Sequence, residues 1–180
     1  MSWQNNKVFL HGFITLPVAL IIIGAFTVAA AAVIENLRFI RTTNQILSFV
    51  ALTRSMVVQQ SGFAQNPGED VWVALEHAGQ VPPGASHLNA WHGDMRATVL
   101  TASAMRVEND LPTHDCRRLA IYFTEHDPAG LGVLAIEGQS TATNIWATIY
   151  PSPAVAHGKA AETACGNAPY ARLAFVFKLR

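Results

Sequence analysis

Charge is what this sequence is short of. Only 13% of its 180 residues are Asp, Glu, Lys or Arg, against about 25% in ordinary soluble domains. Twelve basic and twelve acidic side chains cancel, and the seven His are scattered. With no Lys/Arg run there is no basic stripe to neutralise phosphates, so no nucleic-acid partner is expected. Cysteine is scarce as well, limited to Cys116 and Cys165. There is no Cys-x-x-Cys or His-x-x-x-His spacing around them, and His114 and Asp115 beside Cys116, or His87 and His92 near Trp91, do not supply one. No metal site is therefore expected. Gly-x-Ser-x-Gly, a Gly-rich phosphate loop and paired carboxylates in an apolar setting are all missing, so the chain reads as no enzyme, with no catalytic residue and no cofactor. Glu125, His126 and Asp127 sit together, but at the end of a helix before Pro128 they read as a solvated terminus.

What the sequence has in excess is apolar side chains, 51% of the total. That excludes intrinsic disorder and directs attention to where the excess lies. Between Lys7 and Glu35 there is no formal charge, and Phe13 to Ile34 is almost all Leu, Ile, Val, Ala and Phe. At 1.5 Å per residue this run spans about 30 Å, the thickness of a bilayer's hydrocarbon. It is too long for a signal-peptide core and continues into more helix, so residues 13–34 read as a transmembrane segment. Lys7 before it and Arg38 and Arg41 after it leave the orientation open.

The helical pattern continues beyond the run. Leu37, Ile40, Ile46, Leu47, Val50, Met56 and Val57 fall at three- and four-residue spacings, with charged and polar residues between them, and no Pro or Gly interrupts residues 25–61. One helix from about Phe13 to Gln60 is expected, amphipathic over residues 35–60 and ended by Gly62 and Asn66-Pro67-Gly68.

From there the composition is that of a small α+β domain. A short helix is expected over Glu69–His77 with Gly79 closing it, and a second over Thr113–Asp127 with Thr113 as N-cap. Strand composition marks Met95–Thr101, Met105–Val107, Leu131–Glu137 and Thr143–Tyr150. The clearest strand is Ala171–Arg180, where Leu173, Phe175, Phe177 and Leu179 alternate with a half-polar set. Ala154–Ala164 reads as a loop or a frayed helix. In an oxidising compartment, a bridge between Cys116 and Cys165 would stabilise this domain by about 4 kcal/mol in the chain-entropy model; two unrelated buried thiols are the alternative.

Several of these stretches together resemble the type IV pilins, and more narrowly the type IVb group. Gly12-Phe13, followed by Ile14-Thr15-Leu16 and the apolar run, is similar to a prepilin cleavage region. Ala78-Gly79-Gln80-Val81-Pro82 and Asn89-Ala90-Trp91-His92-Gly93 are similar to Gly-x-Val-Pro and Asn-x-Trp-Gly-Gly stretches, with His92 in place of the first Gly. Leu111-Pro112, Cys116, Leu119, Cys165 and the apolar last strand are similar to the disulfide-bounded region of these subunits. The resemblance implies an α+β pilin fold, a long N-terminal membrane or spine helix packed on a small antiparallel-sheet globular domain. It implies a leader over residues 1–12, the helix over 13–62 and the globular domain over 63–180. A prepilin peptidase would cut after Gly12 and methylate Phe13. Leu16, Pro17, Ile21, Gly24, Ala29 and Val33 would lie on the assembly helix.

Pro17 departs from the family pattern, which has Glu at the fifth mature position to neutralise a neighbour's terminal amine in an apolar filament core. Proline is tolerated in a first helical turn, so the anchor survives, but the missing carboxylate points to a minor or tip subunit ahead of a major one. The implied partners are other pilin subunits, the prepilin peptidase, the assembly platform with its ATPase, and the inner membrane that stores the subunit before export. A signal-anchored monomeric periplasmic binding domain, uncleaved and unpolymerised, is the rival reading.

Overall fold

A computed structural model describes residues 5–60, 62–63, 66–81, 86–151 and 157–180, with the side chains of residues 5–26 and 28 left aside. Helix α1 (Asn5–Gln59) is followed by α2 (Val71–His77), β1 (Met95–Thr101), β2 (Ala104–Pro112), α3 (Thr113–Glu125), β3 (Val133–Ser140), β4 (Trp146–Tyr150), α4 (His157–Cys165) and β5 (Tyr170–Lys178). The chain divides into two units, Met1–Arg38 and Phe39–Arg180. In the first, the residues from Ala29 to Arg38 are exposed, Val33, Ile34 and Leu37 among them. Among the described residues no helix is long and apolar enough to cross a membrane; the side chains of most of the apolar run 13–34 lie outside them.

The second unit is α+β. Its five-stranded sheet has the order β1-β2-β5-β3-β4, with every neighbouring pair antiparallel. Alternation along β5 buries Ala171, Leu173, Phe175 and Phe177 on one face. Phe123 of α3 packs on that face, its ring centroid 4.5 Å from Phe175 and 6.4 Å from Phe177. The other face carries an ion-pair lattice. Arg106 donates to Glu108 at 2.8 Å and to Glu137 at 2.6 Å, Arg172 donates to Asp110 at 2.8 Å, and Arg106 lies over the Trp146 ring. Three strands thus contribute charged groups: Arg172 and Asp110 are registered partners on β5 and β2, whereas Arg106 reaches across β5 to Glu137 on β3.

The buried face of α1 differs from the one its aliphatic residues suggest. Phe39, Thr42, Thr43, Ile46, Phe49, Val50, Thr53, Met56 and Val57 are buried, whereas Leu37 is 60% and Ile40 53% exposed. The threonines extend the apolar stripe because their hydroxyls find partners: Thr43 and Thr53 each donate to the carbonyl four residues back, at 2.9 Å, the bond that lets a buried hydroxyl stay in a helix. Phe39 meets Tyr122 of α3 edge-on at 5.6 Å, and Phe49 meets Trp72 of α2 at 4.7 Å.

Helix α2 is closed at both ends by its own sequence. The Asp70 carboxylate accepts from Trp72 N and Val73 N. Gly79, at φ +65°, lets Gly79 N reach Glu76 O and Gln80 N reach Leu75 O, a Schellman ending. At α3 the cap is Pro112 rather than Thr113; the Thr113 hydroxyl instead donates to Ala168 O, tying the helix start to the approach to β5. The 154–164 stretch contains a true helix, α4, which buries Ala161, Ala164 and Cys165. It lies so close to β3 that a Cβ on Gly138 would stand 2.8 Å from the Ala164 Cβ.

Candidate functional site

Of the residues implied in processing and assembly, Gly12, Phe13, Leu16, Pro17, Ile21 and Gly24 have side chains outside the described residues. Ala29 and Val33 are exposed on α1. Cys116 and Cys165 are both fully buried and joined as a disulfide, Cα atoms 6.1 Å apart. The bridge fastens α3 to the end of α4. Beside it, Arg117 Nη2 donates to Gly166 O and Asn167 Oδ1, so three separate bonds, with that of Thr113, hold the start of α3 to the segment leading into the central strand.

The most consequential surface lies on the far side of α1 from its buried stripe. Ile40, Asn44, Ser48, Ala51, Ser55 and Val58 recur at three- and four-residue steps, and all are exposed, with Val58 reaching 81%. None is charged. A helix flank facing only water ordinarily carries Lys, Glu or Arg, and here the second unit's part of α1 has Arg41 and Arg54 alone. Arg54 does not serve that flank: Nε donates to Lys178 O at 2.8 Å and Nη2 to Leu131 O at 2.9 Å. Burial lowers its pKa from the ordinary guanidinium value. Arg96, on β1, is shifted the other way, chiefly by its hydrogen bond to Asp94.

A polar joint fixes the connection that runs between α2 and β1 onto both α1 and the sheet. Asn89 Oδ1 accepts from Trp91 N at 2.9 Å and Gly93 N at 3.1 Å, while Nδ2 donates to Asp110 O at 2.8 Å. Ala90 N donates to Thr42 Oγ1, and Gln45 Nε2 to the carbonyls of Ser86 and Leu88. His92 adopts φ 62°, the left-handed region that glycine enters without strain. The Asn-x-Trp stretch thus has a definite structural task, which spacing alone did not reveal.

No acid–base constellation gathers at Glu125-His126-Asp127. His126 stacks on Tyr122 at 4.2 Å and Asp127 Oδ1 accepts from Gly130 N, the interactions of a helix end. Among the described residues no three His, Cys, Asp or Glu side chains converge on a possible cation position. Compared with known protein families and with curated proteins, the chain has no match.

Proposed function

We propose that this chain is a structural subunit of a type IVb-like pilus, with the pilin fold, stored as a single-pass inner-membrane protein with its C-terminal domain in the periplasm and polymerised into an extracellular filament. The observation that carries the reading is the charge-poor outer flank of α1. One side of the helix is buried against the subunit's own domain, and on the opposite side Arg41 is the one charged residue between Phe39 and Gln59, a sparsity of charge expected of a helix that other subunits cover. The exposed Val33, Ile34 and Leu37 extend the same property toward the apolar run. In that run, Ala29 to Ala32 would permit close helix approach once lipid contacts are exchanged for side-chain contacts.

Other features support the same reading. Gly12-Phe13 has the form of a prepilin cleavage site, and the disulfide encloses the region that type IVb subunits enclose. Pro17 in place of Glu favours a minor or tip position ahead of the repeating body, with a major subunit as the second reading, since an uncompensated amine in an apolar core is costly. The mechanism is structural: the peptidase trims and methylates, the platform and ATPase extract the subunit, and α1 packs among its neighbours.

Intact mass and N-terminal sequencing of protein from membranes with and without a prepilin peptidase test the proposal. The expected result is a peptidase-dependent start at Phe13, with one added methyl. An uncut Met1 terminus in both strains overturns it and leaves the anchored binding domain.

A further inference from the structure

Beyond the end of α3 the chain turns toward β3 through Asp127-Pro128, the one Asp-Pro pair in the sequence. Asp127 is exposed, so water reaches it. It holds a left-handed conformation at φ 47°, which is costly for residues other than glycine and least so for Asn and Asp. The turn is fixed by its own backbone. Leu131 N donates to Asp127 O at 3.1 Å, Gly132 N to Ala129 O at 2.9 Å and Val133 N to Pro128 O at 2.7 Å. Of the Asp127 carboxyl, Oδ1 accepts from Gly130 N at 3.0 Å. Oδ2 lies over the same glycine, where a Cβ would stand 2.1 Å from it. The carboxyl and the carbonyl of Asp127 are thus each held by one of two successive N–H groups.

An aspartate carboxyl can attack the carbonyl of its own residue through a five-membered ring, an intramolecular approach that needs no diffusing reagent. At most aspartates the nitrogen of the next residue competes by attacking the carboxyl. Proline carries no N–H, so at Asp127 that path is closed, and the basic proline nitrogen leaves readily once protonated. The Leu131 N–H already points at the oxygen that becomes negative on attack, the position of an oxyanion donor. The charged groups that the turn meets are Glu125 and His126 at the end of α3, Arg54 of α1, which donates to Leu131 O, and Lys178 of β5, whose backbone N–H donates to Gly132 O. Among the described residues none of them bonds to the Asp127 carboxyl.

We propose that Asp127-Pro128 is a self-scission site, at which the folded turn promotes hydrolysis of the chain in mildly acidic surroundings. Oδ2 of the protonated carboxyl bonds to the Asp127 carbonyl carbon, its proton passes through water to the Pro128 nitrogen, and the C–N bond breaks with its electron pair going to that nitrogen. One water molecule then opens the cyclic anhydride left on Asp127, giving a carboxyl terminus at Asp127 and an amino terminus at Pro128. Cys116 and Cys165 lie on either side of the cut, so the two pieces stay joined until the disulfide is reduced. The chain is the substrate of this step and undergoes it once.

The test uses the full chain in detergent micelles, at the lowest pH at which tryptophan fluorescence shows it folded, with a sample in urea at the same pH as the unfolded reference. Intact mass is expected to rise by one water and, on reduction, to resolve into a piece ending at Asp127 and a piece beginning at Pro128. The folded sample should be cut at least about tenfold faster than the unfolded one. Asp127→Asn, which tolerates the same φ, should stay whole, as should Pro128→Ala. Gly130→Ala puts a methyl where Oδ2 lies and should bring the folded rate down to the unfolded one. A folded chain cut no faster than the unfolded chain overturns the proposal. Scission of Asp127→Asn at the wild-type rate overturns the carboxyl's role, and an unchanged folded rate in Gly130→Ala overturns its placement over the turn.

Discussion

Gly93 occupies a position that no side chain fits. A Cβ there would stand 1.9 Å from Asp110 O, inside any permitted contact, so the backbone must move and the Asn89 joint with it. Gly93→Ala is expected to destabilise the domain by about 2 kcal/mol or more, read as a lower urea midpoint at unchanged m. Next to it, His92 holds a left-handed conformation at φ 62° that costs a non-glycine residue about 1 kcal/mol. His92→Gly removes that strain but loosens the unfolded chain, so stability should change by less than about 1 kcal/mol, in contrast to the neighbouring site. Arg54 acts by reach rather than by charge pairing, since both of its recorded bonds go to carbonyl oxygens. Arg54→Met keeps much of the apolar stem and removes both bonds. A loss of about 1–3 kcal/mol is expected, measured by chemical denaturation; a variant as stable as the wild type would show that the bonds to Lys178 O and Leu131 O do not hold α1 to the sheet.

At the level of elements, the disulfide acts on a helix that has little else to hold it. Helix α4 buries two alanines and its cysteine, a small apolar contribution, so Cys165→Ser should release it. The chain-entropy model gives about 4 kcal/mol for the loop, equivalent to a fall in Tm of more than about 10 °C; equal melting of oxidised and reduced wild type would show that the bridge contributes nothing. The same scarcity of large apolar residues explains why α4 was hard to read from sequence, where only a loop or frayed helix was suggested. Strand β5 was legible because Leu173, Phe175 and Phe177 alternate cleanly. Strand β2 was only half legible, since Glu108 and Asp110 are charged and their register beside Arg172 depends on a strand more than 60 residues away. The buried face of α1 was misread at Leu37 and Ile40 because hydropathy counts threonine as polar, whereas Thr42, Thr43 and Thr53 satisfy their hydroxyls and go inside. The joint around Asn89 is a product of tertiary packing and leaves no periodic trace.

For the whole molecule, the decisive question is whether the outer flank of α1 is designed to be covered. Ala51 is exposed in the subunit, so Ala51→Glu should leave folding, the disulfide and membrane storage intact. Under the proposed assembly it should abolish recovery in sheared filament fractions, because a carboxylate would be forced into a contact without counter-charge. Normal incorporation of this variant would remove the flank from the interface.

The sheet order has a consequence for synthesis. Strand β5 comes last along the chain yet stands in the middle, between β2 and β3. While the ribosome is still upstream of residue 170, the emerging chain can form the β1–β2 and β3–β4 hairpins but has nothing to join them. A product shortened by even one strand therefore remains two unconnected hairpins with open edges, a form that proteases remove readily. The sheet therefore closes only when residues 170–178 have been made, so the subunits that survive to be used are those translated through β5.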